Sequence, residues 1–319
     1  MTTHARHTID SDVLPEFTAC YLRIAGDECA FVEAHTSHAL PRLLDALKGQ
    51  KLAPEAVRYV VVTHAHLDHA AGAGALLAAC PNATLLAHPR AARHLIDPSK
   101  LVASATSVYG AERFAKLYGV IQPVPEKRVR ALEDGVSFDL GDSKLTVFHT
   151  KGHANHHFIV DDPATDSVYT GDTFGLVYPA LQKKGRFALP STSPTNFDGA
   201  EAHTGIDKVL SLGRRFACLT HFGAFEDVKE IGAQLHAWIS RAEEWVGSVA
   251  KSAETDAEAT ARLTHAWREA IVSDASSRNL GFDAAAMDLL KLDVELNAQG
   301  LAFVGAHQLR QSSAARSAT

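Results

Sequence analysis

With 319 residues, 46% of them apolar, the chain has material for one large domain, or for one domain with an appendage, and needs no disulfide help to bury a core. Its four cysteines, Cys20, Cys29, Cys80 and Cys218, lie far apart without C-x-x-C spacing, which argues against a zinc ribbon and a secreted disulfide framework and for reduced, buried thiols. A formal net charge of -6 without clustered Lys and Arg removes the electrostatic footprint that nucleic-acid phosphates require.

The first residues, 1–12, are polar and mixed in charge. They hold no apolar stretch suited to a signal peptide or a membrane span, so the cytoplasm is the expected compartment and no membrane contact is expected. Residues 1–18 read as an N-terminal arm. Two short strands, 20–25 and 29–32, then flank the turn Gly26-Asp27, and Leu40, Leu43, Leu44 and Leu47 predict a helix over 38–48. The β-branched run 58–63 fits a buried strand, followed by an Ala/Leu-rich helix over 70–79, a strand at 84–87 and helical stretches to about residue 117.

Strand signals recur at 128–131, 136–140, 144–149, 157–161 and 167–170, punctuated by Gly and Asp turns, before a helix over 199–212 and a strand at 217–220. Strand and helix runs thus occur twice in similar order, which suggests two packed sheets with helices outside. Beyond Phe225 the composition shifts to Ala, Leu, Glu and Arg, predicting amphipathic helices over 227–249, 254–273 and 283–300 and a frayed tail from Gln308. The expected organisation is a catalytic domain over 19–225 and a helical extension over 226–319.

The most unusual figure is 18 histidines, and their placement carries the chemistry. Thr63-His64-Ala65-His66-Leu67-Asp68-His69 sets four potential metal ligands where an apolar strand ends and a helix begins. Residues two apart on extended chain point the same way, so His64 and His66 can share one ion while Asp68 and His69 continue around the turn. Imidazole and carboxylate donors suit zinc, iron or manganese. Three further candidates, His153, Asp172 and His221, each follow the C-terminal end of a predicted strand, where α/β proteins gather cofactors.

This ordered set resembles the metallo-β-lactamase superfamily, whose T-H-x-H-x-D-H motif matches Thr63 to His69 and whose later His, Asp and His match His153, Asp172 and His221. The resemblance implies an α/β fold, a four-layer αββα sandwich, over roughly 19–225. It also implies that His64, His66 and His153 hold one metal ion, that Asp68, His69 and His221 hold a second, and that Asp172 bridges them. The chain departs from the family pattern at Glu33-Ala34-His35, where many relatives carry Asp-Thr-Gly, and at Lys151, where Pro is usual. Glu33 can still orient a ligand, His35 can face the cleft, and His157 reads as a supporting or strand residue. His88, although it follows a strand, lies outside the completed set, and His4, His7, His94, His203, His236, His265 and His307 read as incidental surface residues.

Two cations held close together bring the pKa of a shared water toward neutrality, so a metal-bridging hydroxide can attack without a strong protein base. The expected activity is that of a dinuclear, most simply zinc, hydrolase of a small ester, thioester or lactone, with Asp68 and Asp172 as catalytic residues. The alternatives are an iron-dependent oxidoreductase on the same fold, or a hydrolase of β-lactams, phosphodiesters or aryl halides. Glu33 or Asn155 would orient the imidazoles. The expected partners are a small-molecule substrate, no nucleic acid, and at most a second copy of the chain, the C-terminal helices covering the cleft or forming a homodimer interface. Tyr178, Pro179, Phe187 and the run from Pro190 to Pro194 form a loop that would wall the substrate.

Overall fold

The computed structural model describes residues 2–11, 14–192, 197–252 and 254–317. The chain divides into two compact units, the first made of Met1–His149, His156–Gly171 and Ser211–Val228, the second of Thr150–Asn155, Asp172–Leu210 and Lys229–Thr319.

The first unit is built on strands. β1 (His4–Asp10), β2 (Ala19–Ala25), β3 (Glu28–Val32), β4 (Val57–Val61), β5 (Thr84–Ala87) and β6 (Val129–Ala131) form one six-stranded sheet in chain order. Pairing is antiparallel from β1 to β3 and parallel from β3 to β6. β7 (Ser137–Leu140), β8 (Ser143–His149), β9 (Phe158–Asp162), β10 (Ser167–Leu176), β11 (Phe216–His221) and β12 (Gly223–Phe225) form the other sheet, in the order β12-β11-β10-β9-β8-β7. Helices α1 (Leu40–Gly49), α2 (Leu67–Ala70), α3 (Ala73–Ala79), α4 (Pro89–Ile96), α5 (Ser99–Tyr109) and α6 (Ala111–Tyr118) connect the parallel strands.

Strand alternation sorts the side chains into two cores. Cys20, Leu22 and Phe31 pack with Leu43, Leu47, Leu76 and Leu95 of the helices. Their chain neighbours Tyr21, Ala30 and Val32 pack with Phe138, Val147, Phe158 and Tyr169 of the other sheet. Both faces of β2 are therefore buried, which is why it reads as a continuous apolar run rather than an alternating one. The exception is Arg23 on β2. Its Nε donates to Asp162 Oδ2 of β9 at 2.5 Å and its Nη2 to Ser143 Oγ at 3.2 Å, with Arg23 and Asp162 fully buried.

The second unit is dominated by α7 (Gly199–Ser211), α8 (Val228–Val249), α9 (Asp256–Ser277), α10 (Ala284–Leu289) and α11 (Lys291–Ser317). Ile231, Leu235, Ile239 and Val246 recur on one face of α8 and are buried. Trp267 of α9 sits between Trp238 and Trp245 of α8, with ring centroids 5.4 and 4.8 Å away. Thr255 and Glu258 close a reciprocal cap on α9, satisfying two backbone donors at its start.

The α/β class and the helical C-terminal region are those expected. Four local readings change. His4–Asp10, within the stretch read as an arm, is a strand paired with β2 along its whole length. The helix expected over 70–79 is interrupted at Gly72, where a side chain would stand 2.4 Å from the Ala34 carbonyl oxygen, so close approach of two backbones sets the break. β10 runs on past Thr170 to Leu176, which pairs with Leu189. The helix expected over 283–300 is two helices, and α11 continues through the expected frayed tail to Ser317. Among the described residues no helix is long and apolar enough to cross a membrane.

Removing one partner of the Arg23–Asp162 pair leaves a buried charge uncompensated. Asp162→Ala should therefore lower the unfolding free energy by about 3–5 kcal/mol, read as a shift of the urea midpoint at unchanged slope; a change under about 1 kcal/mol would contradict the assignment.

Candidate metal centre

β4 delivers the motif. Val60, Val61, Val62, Thr63 and His64 are all buried; the chain bends at Thr63 and His64 and is extended again at His66, which precedes α2 with φ -64 and ψ 148. α2 then begins at Leu67, placing Asp68 and His69 in its single turn. His221 closes β11 in the other sheet of the same unit. The first unit thus brings together five of the seven predicted ligands: His64, His66, Asp68, His69 and His221.

His64 Nε2 lies 2.8 Å from His66 Nδ1. Asp68 Oδ2 lies 3.6 Å from His69 Nε2 and 3.4 Å from His221 Nε2, and one ligand atom from each of these three falls within 4.8 Å of the others. Donors about 2.0–2.1 Å from a tetrahedral ion stand about 3.3 Å apart, so this trio has the spacing of three ligands on one ion. In the second unit His153 Nε2 and Asp172 Oδ2, the remaining two predicted ligands, lie 3.4 Å apart.

Four of the five candidate imidazoles, all but His66, are oriented through their other nitrogen. His69 Nδ1 donates to Glu33 Oε1 at 3.1 Å, and His221 Nδ1 donates to the Phe17 carbonyl at 3.1 Å. His153 Nδ1 donates to the Ser191 carbonyl at 3.1 Å. Thr63 Oγ1 donates to Glu33 Oε1 at 2.5 Å, which leaves that hydroxyl to accept from His64 Nδ1 at 3.1 Å. All four rings are set to present Nε2 as the lone-pair nitrogen. The residues fit a divalent ion: the donors are imidazole and carboxylate, the tautomers suit ligation, and Asp68, 43% exposed, faces solvent while His69 is fully buried.

Glu33 takes the orienting role expected of it, although it stands at φ +69, a left-handed conformation costly for a residue with a side chain. His35 is buried and shares a hydrogen bond with Thr18 Oγ1 at 2.7 Å; burial pushes its pKa down to about 4. His157 is buried just ahead of β9, its ring 4.9 Å from that of His64. A side chain at Gly171 (φ +47) would stand 2.4 Å from His157 Nε2 and 2.6 Å from Thr63 Oγ1, so the residue before Asp172 must be glycine. Lys151 is exposed, 3.4 Å from Glu201.

The expected substrate wall is corrected at its aromatic residues, while Pro190 and Ser191 do line a small cavity together with His153 and Asp172. Tyr178 and Phe187 are fully buried, Tyr178 donating to Asp293 Oδ1 at 3.2 Å and Phe187 packing 4.8 Å from Phe282. They serve the core of the second unit. Ser193 and Pro194 lie outside the described residues.

Sequence reasoning missed Asn297, buried in the second turn of α11. Its Nδ2 donates to the Pro190 carbonyl at 2.8 Å and its Oδ1 accepts from Thr192 N at 2.8 Å, bracketing Ser191, whose carbonyl orients His153. The only signal in the sequence is an amide inside an apolar helix face, where helix propensity disfavours it. His88 has a further role. Its Nδ1 accepts from Arg90 N at 3.0 Å to cap α4, and its ring lies 4.2 Å from His149; burial, and then His149, push its pKa from 6.5 down to about 4.

A family model described as the metallo-beta-lactamase superfamily matches residues 14–197. A curated relative, "Metallo-beta-lactamase fold-containing protein ST1585" of Sulfurisphaera tokodaii, is 27% identical over 185 residues, which is 56% of this chain and 63% of that protein, so the match spans less than two thirds of the relative's length. The crystal structure of the archaeal metallo-beta-lactamase superfamily protein ST1585 from Sulfolobus tokodaii superimposes with a TM-score of 0.64 at 20% identity, covering 94% of this chain and 98% of that one. That of a metallo-beta-lactamase family protein from Thermus thermophilus gives 0.62 at 19% identity, covering 97% and 94%. At these identities the structural likeness speaks for the fold.

If Glu33 fixes His69 as described, Glu33→Gln should weaken divalent-ion affinity about 10–100-fold in a chelator competition while the far-ultraviolet circular dichroism stays unchanged; unchanged affinity would contradict the role. His88 is neutral when folded, and the unfolded chain binds the extra proton between its ordinary pKa of 6.5 and about 4. Its contribution to stability is therefore complete above pH 6.5 and is lost as pH falls toward 4. His88→Asn, which can still cap α4, should flatten that part of the pH-stability curve, and an unaltered curve would refute it.

Proposed function

The chain belongs to the metallo-beta-lactamase superfamily, and on that premise we propose that it is a metal-dependent hydrolase with a dinuclear centre acting on a small ester, thioester or lactone. The observation that carries the proposal is the trio Asp68, His69 and His221, with donor spacings of 3.4 and 3.6 Å and both imidazole tautomers fixed from behind. A purely structural ion is usually enclosed by four protein ligands, whereas three ligands opening to solvent leave a position for substrate or water.

In this reading His64, His66 and His153 hold one ion, Asp68, His69 and His221 hold the other, and Asp172 serves both. Chain connectivity supports including Asp172, because Gly171 packs against Thr63 at the end of the motif strand and Asp172 is the next residue. Divalent ions held there supply polarisation of the scissile carbonyl and activation of water near neutral pH. The protein's own share is positional. Glu33 and Thr63 hold His64 and His69 from below, the Phe17 and Ser191 carbonyls hold His221 and His153, and Asp68 and Asp172 offset the ions' charge. A net charge of -6 favours an uncharged or weakly charged small molecule over a polyanion.

Purified protein should hydrolyse at least one member of an ester, thioester and lactone panel. Activity should vanish with chelator, return with zinc or manganese, and fall at least about 1000-fold in His69→Ala and Asp172→Ala. Hydrolysis that survives both substitutions, or persists in chelator, would overturn the proposal.

A further inference from the structure

Within the second unit, α11 grips the stretch that follows Asp172 with two side chains. Asp293 and Asn297 stand one turn apart, so they share a face of the helix. Asp293 Oδ1 accepts from the Tyr178 hydroxyl at 3.2 Å, near the start of that stretch. Asn297, 2% exposed, holds its other end. Its Nδ2 donates to the Pro190 carbonyl and its Oδ1 accepts from Thr192 N, both at 2.8 Å, while Thr192 Oγ1 donates to the Asn297 carbonyl at 3.2 Å. Leu176 and Leu189 exchange backbone hydrogen bonds at 2.8 and 3.1 Å, which joins the two ends. Ser191 therefore has both neighbours pinned, and its carbonyl is the acceptor for His153 Nδ1 at 3.1 Å.

We propose that Asn297 is a positioning residue for His153, and that through the Ser191 carbonyl it governs the occupancy of one ion position and not of the other. The inference rests on the reading that His153 shares an ion with His64 and His66 and takes no part in the ion at Asp68, His69 and His221. Selectivity follows from what each ring leans on. His69 and His221 are held by Glu33 and by the Phe17 carbonyl, both in the first unit. His153 leans on a loop carbonyl whose place is set by α11. Losing the partner behind a metal-binding imidazole costs about 10–100-fold in affinity, and displacing that partner acts in the same way. An amide suits this place because it offers a donor and an acceptor in one planar group, one for Pro190 and one for Thr192.

The test is a chelator-competition titration of the full-length chain with zinc, beside proton–nitrogen correlation NMR of the histidine rings in the metal-free state. Wild type should bind two zinc ions and show His153 as the Nδ1–H tautomer. Asn297→Leu, close in size and unable to form either bond, should weaken by about 10–100-fold the binding step that His66→Ala also impairs, and change the other by less than about 3-fold. It should also lose the fixed His153 tautomer. Tyr178→Phe removes the hydroxyl held by Asp293 and should alter neither readout. Unchanged steps in Asn297→Leu, or equal weakening of both, would overturn the proposal. Should that variant fail to fold, Asn297→Ser, whose hydroxyl stops one bond short of both partners, is read in the same way. A wild type that binds fewer than two ions contradicts the dinuclear reading, and the tautomer then decides the inference alone: its loss on substitution supports the role of Asn297, and its persistence refutes it.

Discussion

One buried carboxylate organises the centre. Glu33, at the end of β3, accepts from Thr63 Oγ1 at the end of β4, from His69 Nδ1 on α2 and from Thr220 Oγ1 on β11. These donors come from both sheets and from the helix that carries two ligands, so a single side chain ties together every element of the first unit's ligand set. A carboxylate removed from water demands such donors. In satisfying that demand the fold also fixes which nitrogen His69, and through Thr63 His64, offers. The same economy explains the left-handed backbone at Glu33, a cost of about 1–3 kcal/mol tolerated where the surrounding contacts determine the conformation.

The remaining ligands depend on backbone packing. Gly171 lets β10 pass against Thr63 and His157, and Gly152 lets the turn before His153 lie on α7; a side chain at either would meet heavy atoms within about 2.6 Å. Asn297 extends this support into the C-terminal helices, because it holds the backbone on either side of Ser191. The helical extension is thus part of the scaffold that orients a ligand, and loss of α11 would be felt at His153.

Much of the arrangement was legible in the sequence because it is local. A β-branched run followed by T-H-x-H-x-D-H marks both the strand end and the candidate ligands, and each later candidate stands just after an apolar run. The orienting role of Glu33 was suggested by the resemblance, since it stands after β3 where many relatives carry Asp. What was not legible depends on distant packing. Gly72 breaks a helix whose composition favours continuity, because Ala34 and Thr36 approach it. His4–Asp10 lacks the apolar alternation of a buried strand because it is an edge strand, with Arg6 spread over Phe216. The loop from Tyr178 to Pro190 reads as a surface wall, yet its aromatic residues are core. Asn297 gains meaning only through partners 105 or more positions away.

The central claim is that seven side chains cage two ions, with Asp68, His69 and His221 around one of them. Anomalous diffraction from crystals of the protein purified without added metal, collected on both sides of the absorption edge of the metal present, tests it most directly. The account predicts two anomalous peaks, one within bonding distance of Asp68, His69 and His221 and one within bonding distance of His64 and His66, each also ligated by Asp172. A metal-replete crystal with no peak at the first trio, or with its ions held by other residues, would contradict it.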